Sequence, residues 1–358
     1  MNVVGPHPDD ARPESVPKVA DMTHRDAIEH FAWLARTTEA PLDPGLEIVD
    51  PHHHLWDHVS PPYLLDDLLA DTRSGHNVTA TVFIECGWAW DRSAAPELVP
   101  VAETARVAGL AAESARRGGA VIAKIVGHGD LRLGGLASGR ALDALAEAGG
   151  GRFAGIRHAT AWDGDPDIPN HRTDPASGLM GDTMWREGFA ELAKRNLTYD
   201  AWLYHPQIPE LTALARAFPE TTIVLDHIGG PLGVRSYRDR LEEVRAACRA
   251  SLGELAKCRN VNVKLGGIGM TVMGGDWQRH DSPPGSEALA AYWGDHIRWI
   301  IETFGVERCM FESNFPVDRE TCNYVVLWNT FKRIVADAGP AERARLFAGT
   351  AKSVYGIA

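Results

Sequence analysis

The residues with the clearest chemical potential lie in segment 50–57, which reads Asp-Pro-His-His-His-Leu-Trp-Asp. The segment follows residues 46–49, a short apolar-rich run that predicts a β-strand. Side chains alternate between the two faces of a strand, so His52 and His54 should share one face while His53 lies on the other. Two imidazoles that project from one strand end into the same space can bind one metal ion. The structural alternative is a polar histidine cluster on a surface loop or a hydrogen-bonded histidine of the core.

Strand-like runs recur along the chain and alternate with stretches that have helical spacing of apolar residues. The strand-like runs are 46–55, 77–86, 120–127, 152–158, 197–204, 221–228, 260–266 and 308–315. The helix-like stretches are 97–117, 139–148, 184–195, 208–217, 238–257 and 287–304. Eight alternating strands and helices predict an α/β fold, the (β/α)8 TIM barrel. A doubly wound open sheet is the weaker alternative, because no Gly-x-Gly-x-x-Gly follows the first strand.

The active sites of such barrels lie at the C-terminal ends of the strands. Charged, amide or imidazole residues occur at that end of seven of the eight predicted strands: His52, His54, Glu85, Arg157, His158, His205, Asp226, His227, Lys264, Glu312, Asn314 and Asp318. The needs of a hydrophobic core alone do not explain this pattern. Two long Gly- and Pro-rich segments, 159–183 and 267–287, follow the fourth and seventh strands and are predicted to cover the same face.

Composition restricts the class of partner. The chain has 358 residues and a formal net charge of -12, which argues against nucleic acid and anionic membranes as partners. No apolar run is long enough to predict a transmembrane helix. The five cysteines are scattered, without a Cys-x-x-Cys pair, which indicates free thiols in a reducing cytoplasm and no thiolate zinc site. We therefore expect a cytoplasmic protein that acts on a small molecule.

The first 45 residues form an N-terminal extension to the barrel. Residues 1–20 are polar and lack periodicity, which predicts disorder. Residues 21–37 have apolar side chains at helical spacing and predict one helix. We expect this helix to pack outside the core, on the bottom face of the barrel or against a neighbouring subunit of a homo-oligomer.

Several of these segments resemble a known family. Besides segment 50–57, they are Gly155–His158, Leu203–Gln207, Leu225–Pro231 and Met310–Pro316. Together they resemble the amidohydrolase-related (amidohydrolase 2) family of TIM-barrel metal-dependent hydrolases. The chain is most similar to the branch of sugar lactonases and pyrone-dicarboxylate lactonase, whose relatives include decarboxylases and hydratases. The resemblance covers residues 46–358, which implies a single catalytic domain, and it leaves residues 1–45 outside.

The resemblance implies roles for individual residues. In metal-using members, the positions of His52, His54 and His205 bind the metal, and the position of His227 polarises the scissile carbonyl or moves a proton. The family's strand 8 aspartate, which touches the metal and activates water, is replaced here by Asn314. An amide is an uncharged ligand and cannot take a proton at neutral pH, so this is the main departure from the family pattern.

Other groups can compensate for that departure. Three neutral imidazoles can hold one zinc ion with an open position, where bound water has a pKa near 7. Lactonases of this branch also work without a metal, so a metal-free mechanism stays open. Asp318, Glu85 or Asp226 could serve as the base. Asp226 precedes His227 and should point to the opposite face of its strand, which favours a structural role for Asp226. Glu85 could instead be the partner of a ligand histidine.

The same end of the barrel offers groups that can bind substrate. Arg157 and Lys264, together with His158, could bind a substrate carboxylate, and a structural salt bridge is the alternative for the two cations. The sequence therefore predicts a metal-dependent hydrolase that opens a lactone or similar cyclic ester, with zinc as the expected single divalent ion. The alternatives are a decarboxylase or hydratase of an aromatic-derived acid, built on the same ligands, and a non-catalytic binding barrel.

Overall fold

The computed structural model describes residues 24–358, with side chains from residue 27 onward. Its eight strands form one parallel sheet in the order β1 to β8. They are β1 Glu47–His53, β2 Asn77–Ile84, β3 Val121–Gly127, β4 Phe153–Arg157, β5 Thr198–Ala201, β6 Ile223–Leu225, β7 Val261–Lys264 and β8 Cys309–Met310. The chain beyond β8 returns to β1, since Asn314 N–H donates to the His52 carbonyl at 2.9 Å and His54 N–H to the Phe315 carbonyl at 2.8 Å. The predicted TIM barrel is confirmed.

Helices occupy the connections between the strands. Those in the described residues are α1 His24–Leu34, α2 Leu65–Thr72, α3 Val101–Arg117, α4 Gly134–Ala148, α5 Thr183–Ala193, α6 Ile208–Ala217, α7 Leu241–Leu255, α8 Ser286–Phe304, α9 Tyr324–Ile334, α10 Pro340–Ala344 and α11 Thr350–Tyr355. The six predicted inter-strand helices are all present, with ends shifted by at most a few residues. Within residues 24–358, none of these helices combines the length and apolar character needed to cross a membrane.

The interior of the barrel is closed by the last helix. Val49 of β1, Val82 of β2 and Met310 of β8 pack in one buried cluster with Ala351 and Tyr355 of α11. Lys352 binds Glu47, the first residue of β1, at 2.8 Å, so α11 covers the end where the strands begin. The opposite end, where the strands finish, stays open for the polar residues of the site.

Helix α1 contacts the end of the barrel where the strands finish. Trp33 Nε1–H donates to the His280 carbonyl at 2.9 Å, and Arg36 donates to the Asp281 carbonyl at 2.7 Å, both in the segment after β7. His30 Nε2–H donates to the carbonyl of Arg319, which follows β8, at 2.7 Å. The prediction that this helix packs on the bottom face is therefore wrong. The predicted start of the helix at residues 21–23 and the predicted disorder of 1–20 lie outside the described residues.

Candidate active site

A cavity of about 540 Å³ opens at the end of the barrel where the strands finish. Its walls come from several strand ends and from both long segments that were predicted to cover this face. The lining residues are His54, Trp56, His58, Val59, Cys86, Arg157, Pro169, Asn170, His171, Arg172, Trp202, Tyr204, His227, Met270, Thr271, Val272, Asn314, Val317 and Glu320. The prediction that segments 159–183 and 267–287 lie over the mouth is thus confirmed.

The histidines of β1 have the predicted alternation. His52 and His54 approach each other, with 3.2 Å between their Nε2 atoms. His53 points away, and its Nε2 lies 3.0 Å from Thr81 Oγ1. His54 Nδ1 is 2.8 Å from the Ile84 carbonyl, which can only accept, so Nδ1 carries the proton and Nε2 offers its lone pair. Burial holds the pKa of both His52 and His54 well below the usual range, so both imidazoles are neutral.

Glu312 lies between two imidazoles. Its Oε1 is 2.7 Å from His227 Nδ1 and also accepts the His227 backbone N–H at 3.1 Å. Its Oε2 is 2.7 Å from His52 Nδ1. The rings of His52 and His227 are themselves 4.5 Å apart between centroids. Burial raises the pKa of Glu312 well above its usual range, and burial lowers the pKa of His227 to about 3. With Nδ1 directed at Glu312, His227 has Nε2 left for the cavity.

A buried lysine network lies next to these groups. Lys264 Nζ donates to Asp200 Oδ2 at 2.6 Å and lies 3.1 Å from Asp226 Oδ1 and 3.2 Å from His52 Nδ1. Burial alone would lower the pKa of Lys264, but the Asp200 and Asp226 carboxylates outweigh it and raise this pKa. Tyr355 Oη donates to the same Asp200 Oδ2 at 2.7 Å, so α11 reaches this network from the opposite end of the barrel.

The expectation that Asp226 points away from the site is wrong. Asp226 is fully buried and lies 3.7 Å from His52 as well as beside Lys264. Strand alternation does not apply there, because β6 ends at Leu225 and His227 has a φ of +55°. The left-handed backbone turns the chain between the two residues, so both side chains reach the interior.

Arg157 pairs with Glu85 on the other side of the histidines. Its Nε donates to Glu85 Oε1 at 2.8 Å, and its Nη1 lies 3.4 Å from His52 Nε2. Arg172, from the segment after β4, also binds Glu85. Burial would raise the pKa of Glu85, but Arg172 and Arg157 outweigh it and hold this pKa well below the usual range. Glu85 is thus a charged partner of two arginines, and Arg157 is held at the cavity wall.

Asn314 lines the cavity and makes a specific hydrogen bond. Its Nδ2 donates to Asp318 Oδ1 at 2.8 Å, while Asp318 Oδ2 accepts the Gly269 backbone N–H at 2.9 Å. Asn314 has a φ of +54°, a conformation that asparagine adopts more readily than most residues. Burial raises the pKa of Asp318 well above its usual range.

Two of the sequence-predicted residues lie apart from this group. His205 Nδ1 is an acceptor for the Leu232 backbone N–H at 3.3 Å, and its ring packs on Tyr237 with 5.2 Å between centroids. His158 Nδ1 accepts the Leu131 backbone N–H at 3.1 Å, and its ring packs on Trp185. Neither His205 nor His158 lines the cavity.

Glu312 belongs to the polar residues predicted at the strand ends, but the sequence predicted no chemical role for it, and Asp200 was not among the predicted residues. A usable signal existed for Glu312, because it lies two residues before Asn314 and a strand places such residues on one face. No comparable signal marks Asp200, which is followed by apolar and aromatic residues and whose partner Lys264 is 64 residues away.

The donor set of the site suits one divalent cation. Among the described residues, one group of three potential ligand side chains has ligand atoms within 4.8 Å of one another, namely His52, His227 and Glu312. Within this group, Glu312 Oε2 is buried and lies 2.7 Å from His52 Nδ1. Lys264 already supplies a positive charge 3.2 Å from His52 Nδ1, which opposes an ion on that side.

The cavity side of the histidines offers a second pair of donors, the Nε2 atoms of His52 and His54, although Arg157 Nη1 lies 3.4 Å from His52 Nε2 there. Two nitrogens bonded at about 2.0–2.1 Å to one tetrahedral zinc lie roughly 3.3 Å apart. The observed distance between His52 Nε2 and His54 Nε2 is 3.2 Å. His54 also lines the cavity, which leaves room for water or substrate at an open position.

The amidohydrolase family profile matches residues 49–357 of this sequence. The chain belongs to the amidohydrolase family. That places it among the hydrolases of the amidohydrolase superfamily, and the TIM barrel and the histidine-lined mouth agree with this membership. An uncharacterized protein, y4mH, of Sinorhizobium fredii is 30% identical over 87% of this chain and 99% of its own length.

Two further relatives of this amidohydrolase carry chemical information. An L-fucono-1,5-lactonase of Burkholderia multivorans is 30% identical over 71% of this chain and 77% of its own length. A crystal structure of an amidohydrolase from Burkholderia multivorans with bound zinc has a TM-score of 0.67 and 25% identity, over 87% of this chain and 99% of that one.

Proposed function

We propose that this amidohydrolase opens a lactone by hydrolysis, with His227 as the group that moves the proton. The observation that carries the proposal is the pairing of His227 Nδ1 with Glu312 at 2.7 Å on the wall of the cavity. The pair fixes the ring and leaves the unprotonated Nε2 facing the cavity, which is the geometry in which an imidazole can take a proton from water. The similarity to an L-fucono-1,5-lactonase supports a lactone as the substrate.

The steps balance with water as the only co-reactant. Water at His227 Nε2 loses a proton to the ring as its oxygen attacks the lactone carbonyl carbon. Glu312 stabilises the resulting imidazolium, and the Arg157 guanidinium at the cavity wall stabilises the negative oxygen of the tetrahedral intermediate. The ring C–O bond then breaks, and the leaving alkoxide takes the proton back from His227. The product is a hydroxy acid.

A divalent ion would be held by His52 Nε2 and His54 Nε2. When bound, it would supply Lewis-acid polarisation of the carbonyl and a lower pKa for bound water. The steps assigned to His227, Glu312 and Arg157 are the same with or without it.

The proposal is tested by measuring hydrolysis of a panel of γ- and δ-lactones, with and without added zinc. We expect hydrolysis by the natural chain and a drop of about 10²-fold or more in kcat for His227→Gln. Circular dichroism shows whether the variant keeps its fold. No hydrolysis by the natural chain under either condition would overturn the proposal, as would full activity of folded His227→Gln. Release of carbon dioxide from a carboxylated aromatic acid in the same assay would support the decarboxylase alternative instead.

A further inference from the structure

One side of the reaction cavity is built mainly from apolar side chains. Trp202 and Tyr204 follow β5, and Met270 and Val272 follow β7, so they flank His227, which follows β6. Because β5, β6 and β7 are neighbours in the sheet, these residues lie together along one side of the barrel mouth. Trp202, Tyr204, Met270 and Val272 are called the apolar wall. The hydrolysis steps described above use none of the four.

The apolar wall begins at the reacting imidazole. The Trp202 ring packs edge-on against the His227 ring, with 4.8 Å between centroids and 73° between the ring planes. It also packs edge-on against the Tyr204 ring, with 5.7 Å between centroids. The aromatic surface therefore runs without a break from His227 to Tyr204, and a substrate group next to the attacked carbonyl lies against it.

Hydrogen-bonding groups are scarce on the apolar wall. Tyr204 Oη–H is already committed, since it donates to a backbone carbonyl of the segment after β4 at 2.6 Å. Met270 has only a thioether sulfur, which is a weak acceptor, and the Val272 side chain has no polar atom. The Trp202 indole N–H and the hydroxyl of Thr271, which lies between Met270 and Val272, are the polar side-chain groups that remain there. A ligand group with several hydroxyls would therefore lose more hydrogen bonds to water than it gains.

The segment after β4 shields the apolar wall from bulk water. Pro169 of this segment lines the cavity, and its carbonyl accepts the Tyr204 hydroxyl, which holds this part of the segment against the wall. Trp202 is 8% exposed, and Met270 and Val272 are each 9% exposed, although all of them line the cavity. Enclosed apolar surface of this kind favours a ligand group that is itself apolar.

The charged groups of the cavity lie on its other side. Arg157 Nε donates to Glu85 Oε1 at 2.8 Å, and its Nη2 donates to the Glu85 carbonyl at 2.6 Å. Arg172 binds the same carboxylate. Because Glu85 follows β2, these bonds hold both guanidinium groups away from the apolar wall. The cavity is thus divided between a polar side, where Arg157 stabilises the oxygen of the intermediate, and an apolar side.

We propose that the lactone carries an apolar hydrocarbon substituent, which packs against the apolar wall. The inference rests on the proposed lactone hydrolysis and names its substrate class. The carbonyl lies towards Arg157 and the substituent lies on the opposite side of His227, against Trp202, Met270 and Val272. The cavity of about 540 Å³ has room for such a group beside the lactone ring. A lactone with hydroxyls on its ring carbons would instead bury those hydroxyls against the apolar wall.

The test compares three γ-lactones that differ only in a methyl, pentyl or 4-hydroxybutyl substituent on the same ring carbon. The pentyl and 4-hydroxybutyl groups have the same length, so they differ in polarity alone. We expect kcat/KM of the natural chain for the pentyl lactone to exceed that for each of the other two by about tenfold or more, because each buried methylene contributes about fourfold. The measurement is made with and without added zinc.

Substitutions in the apolar wall locate the preference. Met270→Gln keeps the length of the side chain but places an amide in the wall. The ratio of kcat/KM for the pentyl lactone to that for the 4-hydroxybutyl lactone should therefore fall about fivefold or more. Val272→Thr, which adds a hydroxyl at nearly constant volume, should lower the same ratio. Met184→Gln, at an exposed methionine of α5 outside the cavity, should leave the ratio unchanged. Circular dichroism shows whether each variant keeps its fold.

The outcomes separate this inference from the proposed function. A pentyl lactone that is hydrolysed no better than the methyl or the 4-hydroxybutyl lactone overturns the apolar substituent but leaves the hydrolysis intact. An unchanged ratio in both wall variants does the same. If none of the lactones is hydrolysed, the proposed function fails, and titration calorimetry with the same three compounds decides the inference. Binding of the pentyl lactone that is about tenfold or more tighter than that of the 4-hydroxybutyl lactone, and that Met270→Gln weakens, supports the inference. No binding, or equal binding of the two, overturns it.

Discussion

Glu312 and His227 are joined twice, because the carboxylate oxygen Oε1 accepts the backbone N–H of His227 at 3.1 Å and lies 2.7 Å from its ring Nδ1. One oxygen therefore fixes both the backbone and the ring of the residue. The second oxygen reaches His52 Nδ1 at 2.7 Å. Glu312 thus couples the β1 histidine to the His227 ring that borders the cavity.

Replacing the carboxylate of Glu312 should damage catalysis more than folding. Glu312→Gln keeps the shape but weakens the support for an imidazolium at His227, so we expect kcat for lactone hydrolysis to fall about 10²-fold or more, with little change in KM. Steady-state kinetics on the natural substrate class measures kcat and KM separately. Glu210→Gln, a half-buried carboxyl of α6 away from the cavity, is the matched control and should retain activity. An equal loss in both variants would contradict the role of Glu312.

The position of His227 should also be sensitive to Gly267. A Cβ at Gly267 would lie 2.6 Å from His227 Cβ and Cγ, and the backbone there has a φ of +68°. We expect Gly267→Ala to displace the ring and lower kcat at least tenfold. Gly253→Ala, in α7 with open space around it, should raise stability by about 1 kcal/mol and leave kcat unchanged. Full activity of Gly267→Ala would show that catalysis does not depend on the position of the His227 ring.

Metal content distinguishes the ligand set predicted from sequence from the one that the structure brings together. His54→Gln removes one of two facing Nε2 atoms and should lower bound zinc to a small fraction of one ion per chain. His205→Gln should keep the zinc content of the natural chain, because His205 lies apart on Tyr237. Elemental analysis of proteins purified without chelator measures both. Loss of zinc from His205→Gln as well as from His54→Gln would restore the sequence-based ligand set.

Glu103 should make stability fall as pH rises. Burial, aided by the charge of Glu85, raises its pKa from 4.5 to about 7. Below pH 4.5 both folded and unfolded chains hold this proton, so the group costs nothing. Between pH 4.5 and 7 the unfolded chain releases the proton first, and the folded state becomes less stable by about 1–3 kcal/mol.

Glu103→Gln should remove most of this pH dependence. The amide oxygen can still accept the Cys86 and Trp88 backbone N–H groups, which Glu103 Oε1 accepts at 3.0 and 2.8 Å. Urea unfolding at pH 5.5 and pH 8 measures the free-energy difference, which should shrink in Glu103→Gln. It should stay the same in Glu113→Gln, a partly exposed carboxyl of the same helix. An identical pH dependence in all three proteins would refute the assignment.

Asn314→Asp should destabilise the protein, because it places a second carboxyl beside Asp318. The Asn314 amide now donates to Asp318 at 2.8 Å, and an ionised aspartate could not. We expect the free energy of unfolding to fall by about 1–3 kcal/mol, and by more at pH 8 than at pH 5. The two adjacent carboxyls share a proton whose pKa lies above the ordinary value, and this proton is lost as the pH rises. Thermal unfolding across this range measures it, and adding Asp318→Asn should restore most of the stability. A gain in stability at pH 8 would mean that a cation binds there.

The parts of the site that sequence predicted are those governed by local geometry. The two-residue spacing of His52 and His54 placed both imidazoles on one face, and the count of strand-like runs predicted the barrel. The same alternation predicted the wrong orientation for Asp226, because the chain leaves strand geometry at His227, where φ becomes positive. When the backbone of one residue leaves the extended conformation, the side chains that follow it change face. The pattern of apolar residues in the sequence does not reveal this change.

The pairing of charges could not be predicted from the sequence. Lys264 fits a substrate-binding role in the sequence, yet its ammonium is fully buried against Asp200 and Asp226. Arg157 has Glu85 as its partner in the same way. Such partners are separated by tens of residues along the chain, so their identity depends on barrel register and not on a local pattern.

Tyr355 connects the site to the order in which the protein is made. Its hydroxyl donates to Asp200, the carboxylate that binds Lys264. Translation delivers all eight strands before it delivers Tyr355, so a chain without α11 lacks one of the donors to the buried Asp200 carboxylate. A nascent chain stalled before α11 therefore holds a lysine network that is under-satisfied at its base. Docking of α11 at the end where the strands begin, and not closure of the sheet alone, therefore completes the buried charge network beside His52.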